Sequence, residues 1–366
     1  MKAKWARIPL LLALCMVMIL AGCSDNSQPA ATSNPAPSGE ATGPEAKAET
    51  DYFKGKTVKL IVPYSPGGTY DFMARVVSDY LPKYLPGAPS VIVENQPGGG
   101  GMLGIRNIFD ADPDGLTIGH FESSVIFQQV LELDDYITFE AFPVIGSAGG
   151  QTKVLMQSSD ITLEDVKTGT TVKYGGIGPG NSFNISTLIA DAIMGLEQLQ
   201  VVQGYNGASD IFLAVNQGEL HGAAIALIDY DKNPTIKELI DTGKSKIVLV
   251  IGGEEPHERY NLLLDEVPQL KDLAETEEHR NILNAFSGIL KNGRIFLTSP
   301  GVPEDVVTLY REAFNQVMKD PEFLAKAVDA GFEINVNEGE QAQEEFRAVL
   351  QLPDPEKEYL KTILLE

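Results

Sequence analysis

Three glycine-rich turns hold the residues best suited to chemistry, and each joins an apolar, strand-like run to a helical pattern. The first lies in VKLIVPYSPGGTYDFMARVV, Val58 to Val77. Its apolar run ends at Pro63, a Pro66-Gly67-Gly68 loop follows, and helical spacing begins near Thr69. Backbone N–H groups at a helix start lack intrahelical partners, and the helix dipole there favours an anion. Glycine lets the backbone approach a ligand closely. The loop carries no Lys or Arg, so neutral donors would hold any anion. Asp71 stands near the helix start, where a carboxylate caps N–H groups. On local chemistry alone, a structural turn with no ligand is the favoured reading.

The second turn lies in VIVENQPGGGGMLG, Val91 to Gly104. Gly98 to Gly101 invite comparison with a phosphate loop, but no Gly-Lys-Ser/Thr follows and the first strand lacks a G-x-G-x-x-G continuation. That argues against a nucleotide site and for a close-packed turn beside the first loop. The third is YGGIGPGNSFNIST, Tyr174 to Thr187, where Asn181 or Ser182 is placed to cap a helix. It lies in the other half of the chain, so the first and third loops can clasp one anion between them.

Signals for an enzyme or a metal site are poor. The four His (His120, His221, His257, His279) show no metal-ligand spacing, and neither H-E-x-x-H nor G-x-S-x-G is present. His120 ends a strand, where a hydrogen-bonded structural role is expected. No catalytic residue, metal or cofactor is assigned.

The opening residues are read as a targeting segment. Lys2, Lys4 and Arg7 precede an apolar run, Ile8 to Ala21, too short to span a bilayer comfortably. The run ends in Leu20-Ala21-Gly22-Cys23, which resembles a bacterial lipoprotein signal (1–22) that makes Cys23 the lipidated first residue. The other cysteine, Cys15, lies inside the signal, so the mature domain is expected to hold no disulfide or thiol site. Cleavage would take the formal net charge from −23 to −26. Such acidity argues against nucleic acid and against a basic membrane-binding patch. Residues 23–51 lack Leu, Ile, Val and aromatics and read as a flexible tether. It would reach about 30 Å root-mean-square.

From Tyr52 the chain alternates short strands with helical periods. Strands are expected at Val58–Pro63, Ser90–Glu94, Leu116–Phe121, Lys153–Gln157, Val172–Gly175, Leu199–Gln203, Gly222–Leu227 and Lys246–Ile251. Helices are expected at Thr69–Leu81, Asn184–Met194, Ser209–Gln217, Pro303–Lys319 and Pro321–Ala330. On the first helix Phe72, Met73, Val76, Val77, Tyr80 and Leu81 share one face. This alternation implies an α/β class with largely parallel sheets.

The order of these motifs resembles the solute receptors of tripartite tricarboxylate transporters, the Bug or TctC-type family. The pattern P-[FY]-x-x-G-G-x-x-D-x-x-A-R is matched from Pro63 to Arg75, and V-x-V-E-N-x-P-G-x-G-G from Val91 to Gly101. A-x-P-D-G-x-T-[IL] is matched from Ala111 to Ile118. Tyr205-Asn206-Gly207 through Asp210 resembles a further family region, displaced by one or two positions, and Phe296 to Phe323 is similar to the F-A-P-x-G-T-P segment and its helix.

The resemblance implies two periplasmic-binding-type lobes, each a mostly parallel sheet flanked by helices, with a ligand cleft between them. Lobe 1 would comprise 52–147 plus 253–366 and lobe 2 148–252, with crossings near 146–151 and 251–254. The implied ligand is a small carboxylate held by loop amides. The site residues carried over are Tyr64, Ser65, Gly67, Gly68, Thr69 and Asp71, with Gly178, Gly180, Asn181, Ser182 and Asn184. Tyr70, Phe121, Glu122 and Phe183 are candidates for the rim. Asn184 and Phe183 stand where the family has His and Ser; Asn cannot become a cation, so capture there should depend less on pH, or the ligand differs. Glu122, if it faces the cleft, would oppose a second carboxylate and favour a monocarboxylate or an amino-bearing ligand. The expected protein is a monomeric, lipid-anchored, extracytoplasmic receptor that delivers its ligand to membrane permease subunits. A sensory module of the same fold is the alternative, and an enzyme using a glycine-loop oxyanion site is the less favoured one.

Overall fold

Two sheets flanked by helices, one per lobe, build the fold. The computed structural model describes residues 51–365 apart from 197 and 333. The expected signal segment, Cys23 and all of the tether but Asp51 lie outside those residues.

The first sheet comprises β1 (Thr57–Val62), β2 (Ser90–Asn95), β3 (Thr117–Phe121), β4 (Val144–Ser147), β10 (Ile295–Thr298) and β11 (Asn337–Glu338), in the order β11-β4-β10-β3-β1-β2. The second comprises β5 (Thr152–Ser158), β6 (Val172–Gly175), β7 (Leu199–Val202), β8 (Gly222–Ala226) and β9 (Ser245–Gly253), in the order β7-β6-β8-β5-β9. Both sheets are mixed, which corrects the expectation of mostly parallel ones. β1 pairs parallel with β2 and β3, and β6 parallel with β7 and β8. β10 runs antiparallel to β3 and β4, and β5 antiparallel to β8 and β9. The reason lies in the crossings. β5 and β10 arrive from the other lobe, so each enters its sheet at the cleft end. The β1, β2, β3, β6 and β8 strands finish at that end. Ile295 thus stands opposite Phe121, and Lys153 opposite Ala226. Side-chain-bearing strand ends converge on this crevice, as in other open α/β sheets.

Successive residues of a strand face opposite sides. In β5, Val154 and Met156 enter one core cluster and Leu155 another. Both faces are covered, and β8 is buried throughout, so the strands read as continuous apolar runs. The first helix (Thr69–Tyr84) buries Met73, Val76, Val77 and Leu81 on the first sheet. Phe72 departs from the expected face: it is 39% exposed and stacks on Phe332 at 5.7 Å.

The chain leaves β4 at Ser147 and enters β5 at Thr152. Its return comes later than the sequence suggested. The helix Glu277–Lys291 buries Ile282, Leu283, Phe286, Ile289 and Leu290 against the second sheet's core, and the chain rejoins the first sheet only at Ile295. Leu360 of the Asp354–Leu365 helix joins the same cluster. The assignment of 253–366 to the first lobe is therefore corrected for both helices. No helix among the described residues is long and apolar enough to cross a membrane.

Candidate functional site

Val62 ends β1, and the chain turns through Pro63 to Gly68 into the first helix. Gly67 sits at φ +84°, a left-handed conformation that L side chains rarely adopt. Its N–H donates to Asp71 Oδ2 at 2.9 Å, and Arg75 grips the same carboxylate at 2.8–3.1 Å. Burial pushes the Asp71 carboxyl up, but hydrogen bonds from Arg75, Gly67 and Asn95 outweigh it, so its pKa lies below the usual range. Asp71 thus fastens the loop from within. The N–H groups of Gly68, Thr69 and Tyr70 carry no hydrogen bond to another described residue, as expected for a helix start.

The opposing turn leaves β6 at Gly175 and enters the Ser182–Met194 helix. Here the donors are already engaged. Asn181 Oδ1 caps Phe183 N–H at 3.0 Å, and Asn184 Oδ1 accepts from Gly178 N–H at 3.1 Å. Ser182 N–H donates to Glu122 Oε2 at 3.0 Å, and Ser182 Oγ donates to Glu122 Oε1.

Between the turns lies a cavity of about 30 Å³, room for about two waters at roughly 10–15 Å³ each. Of the expected residues, Tyr64, Ser65, Gly68, Thr69, Tyr70, Asp71, Glu122, Asn181 and Phe183 line it. Gly67, Gly178, Gly180, Ser182 and Asn184 stand behind the wall and shape the loops. Phe121 is buried in the first lobe's core, packed against Phe142, and does not reach the cleft. None of the four His lines the cavity. His120 is buried, with Nδ1 2.9 Å from the Ile295 carbonyl and its ring 4.0 Å from Phe296, the structural role expected of it.

Three polar lining residues escaped the sequence reading: Gln151, Lys153 and Asp229. Lys153 lies in β5 with 1% of its surface exposed. Its Nζ stands 3.6 Å from Glu122 Oε1 and 4.4 Å from the Phe183 ring centroid. Burial pulls its ammonium below the usual range, with Glu122 and Asp229 opposing the shift. Asp229 accepts from Thr69 Oγ1 at 2.6 Å and from Ala226 N–H at 3.0 Å. Burial raises its carboxyl pKa, against the pull of Thr69 and Lys153. A signal was available: a Lys opening an otherwise apolar, doubly covered strand is a buried charge that needs a partner.

Other contacts tie the first turn to the segment that follows β7 in the second lobe. Ser65 N–H donates to the Asn206 carbonyl at 3.3 Å, and Ser65 Oγ to Asp210 Oδ2 at 3.3 Å. The Gly98–Gly101 run packs beside the first loop, where a Cβ on Gly101 would meet Tyr64 at 3.2 Å. It also touches the opposing turn: a Cβ on Gly178 would stand 3.0 Å from Gly100 Cα. Among the described residues no cluster of His, Cys, Asp and Glu is arranged to hold a metal ion.

The fold resembles that of the periplasmic binding protein BugD, with a TM-score of 0.67 at 19% identity over 85% of this chain and 98% of that one. R. palustris Rpa4515, solved with adipate, superposes with a TM-score of 0.64 at 17% identity, over 84% and 97% of the two chains. In sequence, a Cupriavidus necator protein of the UPF0065 group is 24% identical over 287 residues, 76% of this chain and 79% of that one. The model of the tripartite tricarboxylate transporter family receptor, TctC, matches residues 73–350, and the chain belongs to that family.

Proposed function

We propose that this protein is an extracytoplasmic receptor that closes two lobes on a small organic carboxylate and delivers it to the membrane permease of a tripartite transporter. The observation that carries the proposal is the row of N–H donors at Gly68, Thr69 and Tyr70, without a described partner, in residues that line a cavity walled by both lobes. Neutral donors at a helix start, shielded from water, suit a carboxylate. Tyr64, Ser65, Asn181 and Phe183 would frame the ligand, with Gly67, Gly178, Gly180, Ser182 and Asn184 shaping the two turns.

The cavity lies between residues of both lobes, so parting and closing of the lobes would admit and enclose the ligand. Membership of a solute-receptor family, with a dicarboxylate in one solved relative, supports the reading. Attachment through lipid on Cys23, with residues 24–50 as tether, completes the proposal; Cys23→Ser should release the protein from membranes.

A thermal-shift screen over mono-, di- and tricarboxylates, amino acids and aromatic acids tests the function. A ligand that binds only the native state raises the melting temperature by mass action. A folded protein that no carboxylate stabilises would refute the proposal.

A further inference from the structure

Glu122 follows β3 of the first lobe, yet its carboxylate sits on the second lobe's helix start. Ser182 N–H reaches Oε2 at 3.0 Å, while Ser182 Oγ and Gln151 Nε2 (2.7 Å) reach Oε1. Lys153 Nζ stands 3.6 Å from the same Oε1. The Glu122 side chain is 2% exposed. Three hydrogen bonds and an ion pair nearly fill the four or so acceptor positions of a carboxylate. The protein's own side chain therefore occupies the place where a ligand's second carboxylate would find a helix dipole, a hydroxyl, an amide and an ammonium.

The first turn differs, for Gly68, Thr69 and Tyr70 line the same cavity and their N–H groups carry no hydrogen bond to another described residue. That cavity is already lined by three carboxylates, Asp71, Glu122 and Asp229, and by a single cation, Lys153. Asp71 is neutralised by Arg75, and Lys153, with the buried Arg294 acting from behind the lining, offsets the other two acids. A second ligand carboxylate would add like charge at close range where water is excluded, and such an arrangement is costly.

We infer that Glu122 determines specificity by standing in for a ligand's second carboxylate, which restricts the receptor to small monocarboxylates whose far end is uncharged or carries an ammonium. The inference rests on the carboxylate-receptor reading above and narrows it.

Calorimetric titration of the wild type, Glu122→Ser and Glu122→Gln tests it with acids differing in one group. Suitable sets are succinate, butyrate and 4-aminobutyrate; adipate, hexanoate and 6-aminohexanoate; and terephthalate, benzoate and 4-aminobenzoate. The wild type should bind the single-carboxylate members of its preferred set at least tenfold more tightly than the dicarboxylate. Glu122→Ser frees Ser182, Gln151 and Lys153 and should gain at least tenfold in dicarboxylate affinity. Glu122→Gln, which keeps the size, should move the same way by less, and it decides the matter if the Ser variant does not fold. The inference is overturned if the wild type binds a dicarboxylate as tightly as its single-carboxylate partner, or if both variants keep the wild-type preference. Absence of binding to any acid by folded wild type refutes the carboxylate-receptor reading itself, and the inference with it.

Discussion

The two glycine turns are built alike and finished differently. Both follow a parallel strand and open a helix. The turn at Pro66–Gly68 leaves its first N–H groups without a described partner, and the acid of its own helix, Asp71, is turned back to tie Gly67 and Arg75. The turn at Gly176–Asn181 is closed from within: Asn181, Asn184 and Glu122 take up its donors. A helix start is an opportunity for an anion, and the sequence around it decides whether ligand or protein supplies that anion.

Gly178 is where the two halves touch, and altering it should break the arrangement most severely. Its φ is not left-handed, so a side chain is tolerable in an open protein, but a Cβ would press on the Gly100 backbone at 3.0 Å. Gly178→Val should weaken ligand binding about 100-fold, roughly 2.7 kcal/mol, with little loss of melting temperature. Calorimetry and small-angle scattering, which should report a protein held open, check this.

The pH response separates stability from capture. Burial holds the His120 imidazole at a pKa of about 3, down from 6.5. Below pH 6.5 the unfolded chain takes up a proton that the native fold refuses. The stability from a neutral His120 is thus complete above 6.5 and declines as pH falls towards 3. Between pH 7 and 5 the loss should be about 2 kcal/mol, read by urea unfolding and removed in His120→Gln. The second turn offers Asn184 and no titrating His, so ligand affinity should change less than about twofold between pH 6 and 8.

Substitutions within each turn sharpen the contrast further. A Cβ on Gly68 meets nothing closer than 3.9 Å. Gly68→Val should therefore fold normally yet shade the open N–H groups, weakening binding about tenfold, or 1.4 kcal/mol. Asn184→Ala removes the acceptor for Gly178 N–H and should cost roughly 1 kcal/mol of affinity. Ser158→Ala, at the far end of β5, should cost nothing measurable in the same titration.

Much of this was legible in the sequence, because strand–glycine–helix junctions leave local signatures. All eight strands expected from apolar runs form within a residue or two of their expected bounds, and the first and third glycine turns do face one cavity. What was missed is non-local. β10 and β11 are short and owe their existence to antiparallel partners far away in sequence. Lys153 signals a buried charge, but which acids answer it shows only once β5 and β8 pair at the cleft end. Glu122 was suspected of opposing a second carboxylate, but its seat on Ser182, sixty residues later, depends on how the lobes close. Phe121, one residue before it, points the other way into the core, as alternation along a strand requires.

The most direct test of the two-turn account is a crystal structure of the protein with its ligand. The account predicts a ligand carboxylate within hydrogen-bonding distance of the Gly68, Thr69 and Tyr70 N–H groups, with Glu122 still bound to Ser182. A ligand carboxylate on Ser182, with Glu122 displaced, would contradict it.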